Sequence, residues 1–305
     1  MDAVAGLRRC SEWPAAADRR HLRARGCGLS DSAAPPVRAP LPVISIVTIS
    51  FNQARFLPAA IDSIVGQDYP GLDYIVVDPG STDGSREIIA SYGDRIATVL
   101  LDPDKGPADG LNKGFAAACG DIFGYINADD LLLPGALARV AAAFADPAVD
   151  VVLGNGVIID DHDRQLRTAQ SSRFSRGAYG HGAMTFIQQG CFFRATAFAR
   201  AGGFNIANRT CWDAELLIDM ALAGARIVNI PDRLGAFRLY GDTITGSGRL
   251  AEAMRIDVAR IAAKALGRPP RLGDGVLARL YLLARRLGNP QATLDGARAR
   301  LQQRR

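Results

Sequence analysis

Acidic residues recur where short apolar runs end. Asp78 closes DYIVVD (73–78), Asp102 and Asp104 follow IATVLLD (96–102), and Asp129-Asp130 follow DIFGYIN (121–127). Carboxylates gathered on one rim repel one another and raise each other's pKa unless a cation or hydrogen-bond donors compensate. With neither imidazole nor thiolate among them, they suit a hard cation such as Mg²⁺ or Mn²⁺. Such an ion commonly joins a protein carboxylate to ligand phosphates, so the residue types point to a metal–diphosphate or metal–nucleotide site. Each acid also has a plainer use, because Asp caps helices and fills turns, and DPD at 102–104 is ordinary turn chemistry. The adjacent pair Asp129-Asp130 is harder to explain that way, since two neighbouring acids are costly without a ligand. The chain has three histidines, and its five cysteines (10, 27, 119, 191 and 211) form no CxxC pair. A His-ligated metal, a thiolate zinc site, a disulfide framework and histidine-base chemistry are therefore all disfavoured.

The elements that would hold these acids alternate. VISIVTI (43–49), bounded by Pro42, is β-branched and reads as a buried strand. A helical pattern follows over 54–65, then the strand DYIVVD, stopped by Pro79-Gly80. Ser81 to Gly84 offers helix-capping chemistry before REIIASY, and IATVLLD is a third strand. Residues 108–119 read as a helix, DIFGYIN as a fourth strand, ALARVAAAF as a helix after Pro134, and VDVVLGNGVII (149–159) as a fifth strand or a pair. Strands alternating with helices of this length predict βαβ units and an α/β fold with a mostly parallel, twisted sheet. Ligands of such sheets bind beyond the carboxyl ends of the strands, where these acids lie.

The 305 residues are 48% hydrophobic and 22% charged, enough to bury a core and to exclude a wholly disordered chain. The net charge of +5 is unevenly spread. Residues 1–40 carry +3, 41–246 carry −7, and 247–305, with thirteen basic and four acidic residues, carry +9. A nucleic-acid enzyme concentrates positive charge where its ligand lies, so an acidic centre argues against a nucleic-acid partner. No apolar run reaches the roughly 18 residues of a membrane span. The first 40 residues, rich in Ala, Arg, Gly and Pro, lack the apolar core of a secretory signal and read as a disordered extension, which leads us to expect a cytoplasmic protein. The division expected is thus an extension over 1–40, a catalytic domain over 41–246 and a basic helical tail over 247–305. In the tail, Val276, Leu280, Leu283 and Leu287 share one helical stripe, flanked by Arg279 and Arg286 with Arg285 opposite. Such a helix either packs back on the domain or makes peripheral contact with an anionic membrane at its inner face.

Four segments in order, PVISIVTISFNQARFLPAAIDSIVGQDYP, YIVVDPGSTDGS, DPDKGPADGLNKGFAAACGDIFGYINADDLLLPGAL and GGFN…CWDAELLIDMALAG, resemble the family 2 glycosyltransferases, inverting enzymes with a GT-A fold. The resemblance covers about 42–246. It implies that Ser50, Phe51 and Asn52 pack on the nucleotide base and that Asp78 hydrogen-bonds it. It places Asp104-Lys105-Gly106, Asp109 and Asn112-Lys113 along the sugar-nucleotide pocket, and makes Asn127-Ala128-Asp129-Asp130 the metal-binding motif, with Asp129 and Asp130 as ligands of Mg²⁺ or Mn²⁺. Asp213 matches the general base, and Arg238 a basic residue before a closing loop. Asp213 also reads as the N-cap of AELLIDMALAG, and Lys105 and Lys113 as solvated side chains. The chain departs from the family pattern at Asn127, where an acid is commoner, at Pro79, and at Asp219 and Tyr240, where Arg and His are more usual.

The resemblance implies transfer of a sugar from a nucleotide-diphosphate sugar to the hydroxyl of a glycan, lipid-linked or small-molecule acceptor, in polysaccharide or glycan biosynthesis. A sugar-1-phosphate nucleotidyltransferase is the first alternative, but SFNQARF after the first strand is not a Gly-rich basic phosphate loop. A nicotinamide dehydrogenase lacks its GxGxxG. A catalytically inactive sugar-nucleotide-binding protein is disfavoured by intact Asp129, Asp130 and Asp213.

Overall fold

The computed structural model describes residues 41–241, 250–269, 271 and 273–288, with the side chains of 285–288 excepted. The extension expected over 1–40 and the last part of the basic tail lie outside these residues.

Nine strands form one sheet in the order β3-β2-β1-β4-β8-β6-β9-β5, with β7 added to β6. Its first half is the parallel sheet expected. β1 (Ile44–Ile49) runs between β2 (Leu72–Val77) and β4 (Ile122–Tyr125), and β3 (Thr98–Leu100) borders β2, all parallel. The other half is mixed: β8 (Cys191–Arg194) is antiparallel to β4 and to β6 (Val151–Ile159), while β9 (Ile227–Arg238) is parallel to β6. β5 (Leu131–Leu132) pairs antiparallel with β9, and β7 (Gln165–Ala169) closes a hairpin on β6. The apolar run 149–159 is therefore one strand, not a pair.

Period-two alternation along β1 sends side chains to two cores. Ile44 and Ile46 pack with Leu57, Ile61 and Ile64 of α1 (Leu57–Val65) and with Leu137 and Val140 of α4 (Ala136–Ala143). Val47 faces the opposite layer, with Leu111 and Phe115 of α3 (Pro107–Ala117), Ala197 of α6 (Ala195–Ala201) and Leu216, Leu217 and Met220 of α7 (Trp212–Leu222). Two short helices, α2 (Ser85–Ser91) and α5 (Arg176–Gly180), complete the layers.

The C-terminal helices belong to this body. In α8 (Ala251–Leu266), Ile261 and Ala265 bury against Ile218 of α7. Tyr281 of α9 (Asp274–Gly288) stacks on the His181 ring at 5.4 Å, and Arg268 Nη2 pairs with Asp274 at 2.6 Å. Val276, Leu277, Leu280 and Leu283 of the same helix stay exposed. One side of this helix thus packs back, and the apolar stripe points to solvent. Among the described residues no helix is long and apolar enough to cross a membrane.

Candidate functional site

A cavity of about 1090 Å³ opens beyond the carboxyl ends of β1, β2 and β4. Its wall includes Ser50 after β1, Pro79 after β2, Asp104 and Lys105 before α3, Asn127 and Asp129 after β4, and Asp213 in the first turn of α7. Of the strand-end acids, Asp104 and Asp129 line this wall, whereas Asp78, Asp102 and Asp130 do not.

At one end, Asp78 is fully buried. Its Oδ1 accepts hydrogen bonds from Gly80 N (3.1 Å), Ser81 N (2.8 Å) and Arg86 Nε (3.2 Å). Burial alone would raise its pKa, but these donors outweigh it and hold the carboxyl below its usual value. Its Oδ2 is buried without a partner. Asn52, in the left-handed region at φ 54°, fastens the neighbouring loop: its backbone N donates to Ser81 Oγ at 2.8 Å and its Oδ1 accepts from Thr82 N at 2.9 Å. Asn52 supports the rim rather than lining the cavity.

The stretch after β3 divides in the same way. Asp104 Oδ1 accepts from Gly106 N at 2.8 Å. Gly106 has φ 119°, and a Cβ there would come within 2.7 Å of Arg209 Nη1, which donates to Lys105 O at 2.6 Å. Only glycine suits that turn. Asp109, Asn112 and Lys113 do not reach the cavity, because α3 turns them elsewhere. Asp109 Oδ2 accepts from Lys105 N at 2.9 Å, Lys113 Nζ donates to Pro103 O at 2.6 Å, and Asn112 brackets the Phe204 backbone with two 2.9 Å bonds.

The acidic pair also splits. Asp129 lines the cavity, and Tyr240 OH donates to its Oδ2 at 3.1 Å. Asp130 is 1% exposed and lies behind the wall. Its Oδ1 accepts from Arg238 N at 2.8 Å, and its Oδ2 from Gln189 Nε2 at 2.5 Å and Asn127 Nδ2 at 3.0 Å. With both oxygens so engaged, Asp130 braces the motif, and the expectation that it ligates a cation beside Asp129 does not match this arrangement. Burial pushes the pKa of each acid up, and for Asp130 the neighbouring Asp129 charge adds to it. Arg238 is likewise a brace and not a wall residue. Its Nε donates to Asp129 O at 2.7 Å, its Nη1 to Asp160 O at 2.9 Å, and its guanidinium lies 4.6 Å from the Phe56 ring centroid.

The donors present at Asp129 fit a hard cation. Its carboxylate is held in a buried setting that penalises charge, and Asn127 Oδ1, an oxygen of the same wall, is buried without a partner.

At the other end, Asp213 is the second residue of α7, whose N-cap is Cys211, so it is not the cap that its position before AELL suggested. Burial raises its pKa, against the opposing effect of the Ala214 backbone N–H. On this wall Ser50 Oγ, Asn127 Oδ1 and Gln188 Oε1 are buried without a partner among the described residues, and the buried Tyr125 OH meets the Trp212 side chain. Each such atom costs about 1–3 kcal/mol when nothing bonds it. Their concentration in one place marks a surface shaped for a polar ligand.

Several participants were not legible in the sequence. Tyr125, Gln188, Arg209 and Trp212 line the cavity through long-range packing that no local pattern announces. Asp160, Asp161 and His162, on the β6–β7 turn, come within 4.8 Å of one another, but Arg164 and Arg55 already pair with Asp160 and Asp161, and the group is not on the cavity wall. A further cluster lies beneath Asp213. Glu215, 1% exposed, accepts from Asn208 Nδ2 (2.8 Å), Asn205 Nδ2 (3.1 Å), Lys264 Nζ (3.2 Å) and the Arg260 guanidinium. Asp257 of α8 accepts from Thr210 Oγ1 at 2.8 Å and from Arg209 N at 3.3 Å. The loop that carries Arg209 and leads to Asp213 is thus clamped by α8.

The Glycosyl transferase family 2 model matches residues 45–205. A protein of Nostoc sp. named an uncharacterized glycosyltransferase is 33% identical over 131 residues, 42% of this chain and 41% of that one. A Mycobacterium bovis protein named PGL/p-HBAD biosynthesis glycosyltransferase is 30% identical over 187 residues, 57% of this chain and 69% of the relative. Of solved structures, the Pyrobaculum calidifontis mannosyltransferase PcManGT, in complex with GDP-Man and Mn²⁺, superposes with a TM-score of 0.59 at 23% identity, over 88% of this chain and 76% of that one. S. aureus TarS 1-349 in complex with UDP-GlcNAc gives 0.58 at 20% identity, over 81% and 73%. At such identities the likeness concerns the GT-A fold.

Proposed function

The chain belongs to glycosyl transferase family 2, and from that membership we propose that it moves a sugar from a nucleoside-diphosphate sugar to an acceptor hydroxyl with inversion. The observation that carries the reading is one cavity lined by Asp104, Asn127 and Asp129 on one side and by Asp213 on the other, its wall holding unpartnered polar atoms, with the buried Asp78 just behind Pro79. Asp78 Oδ2 receives a hydrogen bond from the base, while Ser50 and Phe51 pack on it. Asp104, Lys105 and Arg209 border the sugar and diphosphate. Asp129, with Asn127, would hold a Mg²⁺ or Mn²⁺ ion, which when bound supplies Lewis-acid stabilisation of the departing diphosphate. Asp213 takes the proton of the acceptor hydroxyl as it attacks the anomeric carbon. Its desolvation makes it a stronger base than a surface carboxylate, and general-base help of this kind contributes about 10²–10⁴-fold. One displacement and one base invert the centre without a covalent intermediate.

The acceptor we propose is a glycan, a lipid-linked glycan or a small molecule in glycan biosynthesis, not a nucleic acid, met in the cytoplasm. The exposed apolar stripe of α9, with the +9 charge of 247–305, suits contact with an anionic inner membrane face. A thermal-shift panel of sugar nucleotides with and without Mn²⁺ tests the donor assignment, because a ligand that binds the folded state raises its apparent stability. No shift with any sugar nucleotide would overturn it. Stabilisation by nucleoside triphosphates together with sugar phosphates would favour the nucleotidyltransferase alternative. Donor binding without transfer to any acceptor would favour an inactive binding protein.

A further inference from the structure

Tyr125 ends β4 beside the cavity and is 3% exposed. Its ring packs edge-on against Phe204, with centroids 5.5 Å apart. A phenylalanine would make that contact equally well, yet this chain buries a hydroxyl there; the Trp212 indole N–H can only donate to it, so its own O–H proton finds no acceptor. The hydroxyl is close enough to Asp213 that, after burial itself, the Asp213 charge is the next cause that pushes its pKa up. Gln188 is fixed beside it, since its Nε2 donates to Tyr125 O at 2.7 Å. That bond sets which way the amide points and leaves Oε1 buried and unpartnered. Both residues line the cavity together with Trp212 and Asp213.

We infer that the Tyr125 hydroxyl and the Gln188 amide oxygen form an acceptor subsite for the vicinal diol of a sugar or polyol, held beside Asp213. The inference rests on the glycosyltransferase reading and names its acceptor class. A diol offers two O–H donors and acceptor lone pairs on each oxygen. Asp213 accepts from the hydroxyl that reacts, Gln188 Oε1 accepts from its neighbour, and Tyr125 OH donates to an oxygen of the pair. Trp212 supplies an aromatic surface of the sort on which the apolar face of a sugar ring rests. A monohydric acceptor would leave one of the two buried groups unbonded, which is how a polar site rejects a ligand that lacks a hydroxyl.

The test uses the full chain, a donor identified by thermal shift, and methyl pyranosides with their singly deoxygenated analogues as acceptors, reading release of nucleoside diphosphate. Loss of the neighbouring hydroxyl should lower kcat/KM about ten-fold or more, the scale of a neutral hydrogen bond left unmade. Tyr125→Phe and Gln188→Leu should each raise the acceptor KM about ten-fold. The donor Kd, measured by titration, should stay within about two-fold, and the Tyr125→Phe melting temperature should change little because the ring keeps its packing against Phe204. Tyr125→Phe should also discriminate less between a pyranoside and its deoxygenated analogue. An unchanged acceptor KM, a joint loss of donor affinity and melting temperature in Tyr125→Phe, or turnover confined to monohydric alcohols would each overturn the subsite. A wild-type chain that binds no sugar nucleotide would instead overturn the functional reading beneath it.

Discussion

Replacing Glu215 by Gln probes the clamp beneath the loop that leads from Arg209 to Asp213, and its magnitude follows from the surroundings of one carboxylate. Glu215 is 1% exposed, and although burial works against its charge, the donors Arg260, Asn208, Asn205 and Lys264 hold its pKa down at about 2, from 4.5. A carboxyl whose pKa is depressed on folding stabilises the protein above its unfolded value and loses that stabilisation as pH falls through its folded value. Here the window runs from about pH 4.5 down to about pH 2. The full shift corresponds to roughly 3 kcal/mol at pH 7. Arg260 and Lys264 are 40% and 37% exposed, so solvent screening brings this to about 2 kcal/mol. Glutamine does not titrate. Urea unfolding should therefore find Glu215→Gln about 2–3 kcal/mol less stable than wild type at pH 7, with the gap narrowing by about 1–2 kcal/mol at pH 3. Groups remote from Glu215 are common to both proteins and cancel in the difference, while Asp219, whose pKa the Glu215 charge helps to raise, makes a smaller contribution of its own. A gap that stays constant between pH 7 and pH 3 would mean the folded carboxyl titrates like an unfolded one, and the ion-paired clamp would be refuted.

Other outcomes follow from the same geometry. Asp213→Asn should lower turnover by about 10²–10⁴-fold while sparing donor affinity, and retained turnover would remove Asp213 as the base. Because burial raises the Asp213 pKa, wild-type kcat should fall on the acid side at a pH above the usual carboxylate range, a limb that a pH–rate profile can locate. Asp129→Ala should abolish the Mn²⁺-dependent part of nucleotide binding in calorimetric titration. Asp130→Ala should chiefly lower the melting temperature, since it strips a partner from Gln189, Asn127 and the Arg238 backbone. Flotation with anionic liposomes should capture the wild-type chain in a salt-sensitive way and capture Leu280→Glu/Leu283→Glu far less; equal capture would count against the α9 stripe.

The parallel half of the sheet was legible because each strand there is short, apolar and bounded by Pro, Gly or Asp, and because ligand-facing residues in such folds sit just past strand ends. The mixed half was not. β7, QLRTA, has no apolar alternation, and β9, IVNIPDRLGAFR, carries a proline and three charged residues, so its strand character comes from pairing with β6 and not from its own pattern. The acids were located by the same rule, but the rule says where a residue sits along the chain and not which of its neighbours consume it. Asn112, Asp109 and Lys113 are spent on loops and helix ends that become adjacent only after folding.

The acidic pair shows why residue type and position are insufficient to assign a cation. Asp129 and Asp130 are adjacent, both resist charge through burial, and both belong to the motif that the family resemblance singles out. What separates them is accounting of lone pairs. Asp130 receives bonds from three donors on β9, the Gln188–Gly190 turn and Asn127, so it fixes the strand end against the second half of the sheet. Among the described residues Asp129 has one side-chain donor, Tyr240 OH, whose bond to its carboxylate an arriving cation must share or displace. On this logic a Tyr240→Phe chain should bind Mn²⁺ with sugar nucleotide at least as tightly as wild type. Marked weakening in calorimetric titration would show that the phenol assists the cation instead of competing with it.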